Sequence, residues 1–247
     1  MTSLLDQLSH RLPGGIREAL LGNSRQDLLS RVTDTLVVFG DELLHAESGR
    51  SHRIAPAARS STEGNIDAVA VAKAAKHLLA AADSERSVLL LLAPSEFLAT
   101  EQQMPGLSGT NLISAITLQQ ETILPACDEA LALAVSDGGA DGKRLALWIR
   151  QVRLTALFDA FTSQGLALAA LAPRTLALMQ SAQTGLLLDD DGRDTTFIRT
   201  RGRVLEQWLQ IQNAELGEPA FAEQWQEQLA AFEAETRQTL TAAQDYA

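Results

Sequence analysis

The chain has 247 residues, 46% of them hydrophobic, enough to build the core of one large domain or two small lobes. A formal net charge of -11 argues against nucleic acid as a partner, because phosphates are neutralised by basic surface. The single cysteine, Cys127, excludes an intrachain disulfide and a thiolate metal cluster, and with aromatics at only 4% the core must be built from Leu and Ala.

Residues 1 to 31 read as helical, with Leu4, Leu5, Leu8, Leu12 and Ile16 near one face and Pro13-Gly14-Gly15 dividing two helices. Their arginines, Arg11, Arg17, Arg25 and Arg31, suit packing on the domain or a partner better than lying on a membrane. No basic start with a continuous apolar run marks a signal peptide, and no run reaches the ~20 apolar residues of a bilayer span. The expected location is therefore cytoplasmic. TLVVFGDELLHAES predicts two strands around Gly40-Asp41, followed by a loop over Arg50 to Asn65 and an Ala-rich helix over Ile66 to Ala82. SVLLLLAP, from Ser87, has the continuous apolar pattern of a strand buried on both faces. SEFLATEQQMP reads as its neighbouring strand, and Ser108 as the cap of a helix running to Thr122.

EALALAVSDGGADGKRLALWI is the clearest hairpin, two apolar runs around a turn-rich centre. Gln151 to Gln164 follows as an amphipathic helix, closed by Gly165. GLALAALAP is another buried strand, and Pro173 opens a short helix to Gln180. A hairpin then spans Leu186 to Gln210, and a long helix, rich in glutamate, spans Glu218 to Tyr246. The alternation predicts an α/β chain with a mixed sheet.

Common catalytic signatures are missing from the sequence. There is no HExxH, no GxSxG and no GxGxxG after a strand, and GADGKR fails the GxxxxGK[ST] spacing. The four histidines, His10, His45, His52 and His77, share no metal-ligand spacing, and Cys127 is expected to be a buried thiol. The densest chemistry lies in LLLDDDGRDTTFIRTRGRVLEQW. Asp189, Asp190, Asp191 and Asp194 crowd one turn, yet the spacing is not that of a Ca²⁺ loop, and adjacent strand residues face opposite sides. Read from these residues alone, it is a hairpin with a polar tip, turned by Gly192.

The order of SVLLLLAPSEFLATEQQMP, NLISAITLQQETILP, RLALWI and TALFDAFTSQGLALAALAPRTLALM resembles the PilM/GspL group of actin-like assembly proteins of type IV pili and type II secretion systems. LLDDDGRDTTFIRTRGRVL resembles the group's LLDIGxxxTTLxxxxxGxL layout, without a gap through Thr195-Thr196. The resemblance runs over residues 66 to 247. It implies an actin-like (RNase H-like) fold of mixed sheets with flanking helices in two lobes. Its units would be an N-terminal helical segment (1–35), a first lobe (36–180) and a second-lobe hairpin with a C-terminal helix (181–247). Carried over, Asp189, Gly192, Thr195 and Thr196 form the second phosphate loop, with Asp189 at the strand end and the threonines as a hydroxyl pair.

Both phosphate loops depart in the acidic direction. Asp191 stands where the group has the glycine of DIG, and the first loop has Gly40 followed by Asp41 and Glu42. Two like charges ~4 Å apart at an effective dielectric of ~20 repel by ~4 kcal/mol. The implied function is a non-catalytic scaffold with no cofactor, at the cytoplasmic side of a bacterial inner membrane. Its partners would be the assembly ATPase, other platform proteins and, as an option, a second copy of itself. Membrane association would come through the N-terminal helices or a segment outside this chain. An ATPase or phosphotransferase, and an unrelated α/β interaction domain, stand as alternatives. Trp208 and Trp225 are candidate interface anchors that also suit a core.

Overall fold

The computed structural model describes residues 32–54, 66–79, 86–107, 109–125, 127–135, 143–175, 185–201 and 204–213, with Gln226, Ala230 and Ala234, which are helical. The expected N-terminal helices, the Ser108 cap, Trp225 and most of the C-terminal helix lie outside these residues.

The first sheet has five strands. Its strands are β1 (Asp34–Phe39), β2 (Glu42–His45), β3 (Ser51–Arg53), β4 (Ser87–Leu92) and β8 (Ala167–Pro173), in the order β3-β2-β1-β4-β8. The first three are antiparallel neighbours, while β1, β4 and β8 run parallel, so the sheet is mixed as expected. β3 falls inside the stretch expected to be a loop. Two helices return the chain for the parallel pairings: α1 (Ala68–Leu79) before β4, and α4 (Gln151–Ser163) before β8. Asp67 starts α1 by accepting the Ala70 N–H through its carboxylate at 2.9 Å. Gly165 ends α4 with φ +72, the left-handed conformation that glycine adopts without a Cβ penalty. The two helices share one core with the sheet, in which Leu36, Val88, Leu90, Val71, Leu157 and Phe161 are buried.

Two three-stranded sheets complete the described fold. β5 (Leu98–Gln103), β6 (Leu131–Val135) and β7 (Lys143–Arg150) are ordered β5-β7-β6, and β9 (Gly185–Asp190), β10 (Asp194–Arg201) and β11 (Val204–Gln212) form the meander β11-β10-β9. The β6–β7 pairing is the hairpin expected from the sequence. The hairpin expected over Leu186 to Gln210 gains a third strand. β5 is a strand, but it pairs with β7 in a separate sheet and not with β4.

The central strand β7 explains its own composition. Leu145 to Ile149 are all buried, although the sheet is antiparallel. Ala146 and Trp148 pack with Leu112, Ile113 and Ile116 of α2 (Gly109–Leu118). Leu145 and Leu147 point the other way and pack on Ile198, Leu187 and Trp208 of the β9–β11 sheet. Both faces are covered, so alternation gives way to a continuous apolar run. Trp148 Nε1 donates to Thr100 Oγ1 at 2.9 Å, which satisfies the buried indole. The helix expected up to Thr122 is interrupted at Gln119, and α3 (Gln120–Ile123) resumes as a single turn. Cys127 is half-buried rather than buried, because its loop leaves it at the surface beside the Glu129 carbonyl.

Candidate functional site

The β9–β10 tip, from Asp189 to Thr196, contains the four residues assigned to the second phosphate loop, Asp189, Gly192, Thr195 and Thr196. Strand pairing sets Asp189 opposite Thr196 and Asp190 opposite Thr195. Paired residues share a face and consecutive ones alternate, so the two threonines point to opposite sides of the sheet. Thr196 is buried. Thr195 donates its hydroxyl to Asn213 Oδ1 at 2.7 Å. The structure therefore separates the pair of hydroxyls that a phosphate would need together.

The backbone donors of the tip are also engaged. Asp190 Oδ1 accepts the Gly192 N–H at 2.8 Å. Asp191 Oδ1 accepts the N–H groups of Arg193 at 2.9 Å and Asp194 at 2.8 Å. These are turns in which a short carboxylate folds back on its own backbone. Gly192, at φ +83, allows the reversal. The other oxygen of Asp191 accepts the Ser95 hydroxyl, from the turn Pro94–Glu96 that follows β4. Arg193 Nη2 donates to the Ser95 carbonyl at 3.3 Å, so the tip is latched to the first sheet from two sides. Asp194 is buried, accepting the Gln210 amide at 3.0 Å through Oδ2, while Oδ1 has no partner among the described residues.

Asp189 does not face an empty cleft. Arg174, at the end of β8, grips it with a two-pronged pairing, Nε to Oδ2 at 2.7 Å and Nη2 to Oδ1 at 2.5 Å. Arg174 Nη1 donates to the Val38 carbonyl at the end of β1 at 2.8 Å, and its guanidinium lies 4.6 Å from the centroid of the Phe39 ring. The side chains of the pair are 6% and 11% exposed, so this is a buried ion pair joining β1, β8 and β9. Arg174 escaped the sequence reading. Its only signal is an arginine set directly after a buried strand and a proline. In the other loop, Gly40 turns at φ +57, and Asp41 pairs with Arg53 at 2.9 Å.

The Asp190 carboxyl is held below the usual carboxylate range. The Gly192 N–H is the main cause, followed by the Asn213 amide; desolvation opposes the shift, and the Arg174 charge adds to it. A depressed folded pKa gives stability that is present above the unfolded pKa and is lost as pH falls through the folded value. In a carboxyl NMR titration Asn213→Ala should move the Asp190 midpoint up, while leaving it below the ordinary value because the Gly192 donor persists. An unchanged midpoint would remove Asn213 from this account.

The aspartates disperse to four different sets of partners, and among the described residues no group of three or more His, Cys, Asp or Glu could hold a metal ion. His52 and His77, distant in sequence, stack with ring centroids 4.3 Å apart. Trp208 packs against Leu145, Leu147 and Ile198. No helix among the described residues is long and apolar enough to cross a membrane.

No family model matches the chain, and no curated protein matches it. Solved structures do. A chain of the PilM–PilN type IV pilus biogenesis complex overlaps at a TM-score of 0.58 with 18% identity, covering 74% of this chain and 62% of that one. The protein described here thus spans under two thirds of that chain. The cytoplasmic domain of EpsL, an inner membrane component of the Vibrio cholerae type II secretion system, overlaps at 0.47 with 17% identity, covering 74% and 72%. A Bacteroides thetaiotaomicron protein with an actin-like ATPase fold and unknown function overlaps at 0.36 with 10% identity, covering 75% and 72%. The weaker two overlap too loosely to bear on individual residues. The protein shares the fold of the chain from the PilM–PilN complex, a mixed α/β fold with a five-stranded mixed sheet, as its sequence order implied.

Proposed function

We propose that this chain is a non-catalytic scaffold of a type IV pilus or type II secretion inner-membrane platform, acting at the cytoplasmic face and docking the assembly ATPase and other platform proteins. One observation carries the non-catalytic part. The backbone donors at the β9–β10 tip are taken by the chain's own aspartates, and Asp189 is taken by Arg174. A phosphate entering there would have to displace carboxylates from inside their own turns while meeting their charge. The overlap with the PilM–PilN chain supports the setting. In this reading residues 1–35 are an N-terminal helical segment, 36–180 the first lobe and 181–247 the second-lobe hairpin with the C-terminal helix.

Calorimetric titration of Mg·ATP at millimolar nucleotide should give no saturable heat, and the melting temperature should not rise. Saturable binding would hand the lead to an ATPase using Asp189, Thr195 and Thr196. Pull-down with the platform proteins present should retain the assembly ATPase, and its loss under those conditions would overturn the scaffold reading.

A further inference from the structure

A second polar cluster lies away from the β9–β10 tip, where β2 turns into β3. His45, at the end of β2, is buried, and so is Asp34 at the start of β1. His45 Nε2 lies 3.0 Å from Asp34 Oδ1 and 3.0 Å from Glu47 Oε2. Its Nδ1 lies 2.7 Å from Ser48 Oγ. Ser48 is exposed, in the turn that Gly49 completes at φ +66.

The partners decide the tautomer. Ionised carboxylates only accept, so in the neutral ring Nε2 must carry the proton. The Nδ1 lone pair is then left to accept from the Ser48 hydroxyl. Asp34 is itself fixed, since Oδ1 accepts from Arg86 and Oδ2 accepts the Thr33 hydroxyl at 2.6 Å. Glu47 accepts the Thr35 N–H through both oxygens, at 2.9 and 3.0 Å. Arg50 completes the site: its backbone N–H and its Nε donate to Ser48 Oγ at 3.4 and 3.3 Å. Arg50 is in turn anchored by Nη2 on the Leu78 carbonyl at 2.8 Å. A hydroxyl, a base with its lone pair on that hydroxyl, and a buried carboxylate orienting the base make up the activated-nucleophile arrangement. The nearby guanidinium favours negative charge on the oxygen.

We propose that Ser48 is a histidine-activated nucleophile, a chemical site separate from the β9–β10 tip, which takes an acyl group from small activated esters in solvent. Ser48 Oγ attacks the ester carbonyl carbon as its proton passes to His45 Nδ1. The Oγ–carbon bond forms and the carbon–leaving-group bond breaks. The leaving group departs with the pair of electrons and takes the proton from His45. The products are O-acyl-Ser48 and a free alcohol or phenol, with no oxidant or reductant needed. The open turn suits a small donor and a single covalent event.

The test uses the full chain with p-nitrophenyl acetate and peptide mapping by mass spectrometry. General-base assistance is worth about 10²–10⁴-fold, so acetylation at Ser48 should outrun that of other serines by about 100-fold or more. Unfolding in urea should abolish the preference. His45→Gln, checked for a cooperative melt, should lower the Ser48 rate by a similar factor. No acetyl-Ser48, or the same rate in native and urea-unfolded chain, would overturn the proposal. So would an unchanged rate in folded His45→Gln. The urea comparison decides the matter even where that variant does not fold.

Discussion

Arg174→Ala should melt about 6–20 °C below the parent chain. Removing one partner of a buried ion pair costs about 3–5 kcal/mol, and a chain of this size loses about 2–4 °C per kcal/mol. Asp189 would lose its two-pronged partner in a site where its side chain is only 11% exposed. The Val38 carbonyl would lose its donor and Phe39 its cation, so β1, β8 and β9 would lose their common tie together. Asp189→Ala should cost a similar amount, for it leaves the guanidinium unpaired. The double variant Arg174→Met, Asp189→Leu should lose clearly less than the two single losses added, since no charge remains buried alone. Arg174→Lys should not rescue, because an ammonium cannot reproduce two parallel bonds to one carboxylate and a third to a carbonyl. Thermal melts by circular dichroism would read all four variants. A loss below about 1 kcal/mol for Arg174→Ala would mean that water screens the pair as it does at a surface.

That tie illustrates what the sequence could and could not reveal. Strands whose residues are buried by many neighbours write their pattern into composition: LALWI in β7, SVLLLL in β4 and ALAALAP in β8 were all legible as strands. Helix ends written in glycine were legible too, as at Gly165. β3 was missed because Ser51, His52 and Arg53 are a short polar edge strand, held by backbone pairing to β2 with no apolar signature of its own. The partner of β5 was misread because proximity in sequence favoured β4. The true partner, β7, pairs Leu98 with Trp148, a choice made by the core that Trp148 fills. At the candidate site, the residue types and the acidic departures were legible. The engagement of each carboxylate was not, because it depends on partners from elsewhere in the chain. Arg174 meets Val38 across 136 positions, and Asp191 meets Ser95 across 96. No local spacing encodes either contact.

A second large effect is expected at Arg153. This residue lies in the first turn of α4, where a positive charge opposes the helix dipole. It is held there by Glu96, Nε to Oε2 at 2.6 Å and Nη2 to Oε1 at 2.9 Å, with side chains 11% and 7% exposed. Glu96 closes the Pro94–Glu96 turn, between Ser95, which receives the β9–β10 tip, and Phe97, which is buried in the main core. Arg153→Ala should therefore cost about 3–5 kcal/mol by stranding the Glu96 carboxylate. It should also act at a distance, because the turn that positions Ser95 loses its anchor on α4. Hydrogen exchange should show faster exchange at the Arg193 and Asp194 amides than global destabilisation alone produces, judged against a core variant such as Leu90→Ala matched in melting temperature. If both variants exchange alike at the tip, Arg153 and Glu96 hold α4 to the first sheet and nothing more. If the tip loosens only in Arg153→Ala, the self-occupied loop is set by the first sheet through a chain of contacts running from Arg153 through Glu96 and Ser95 to Asp191.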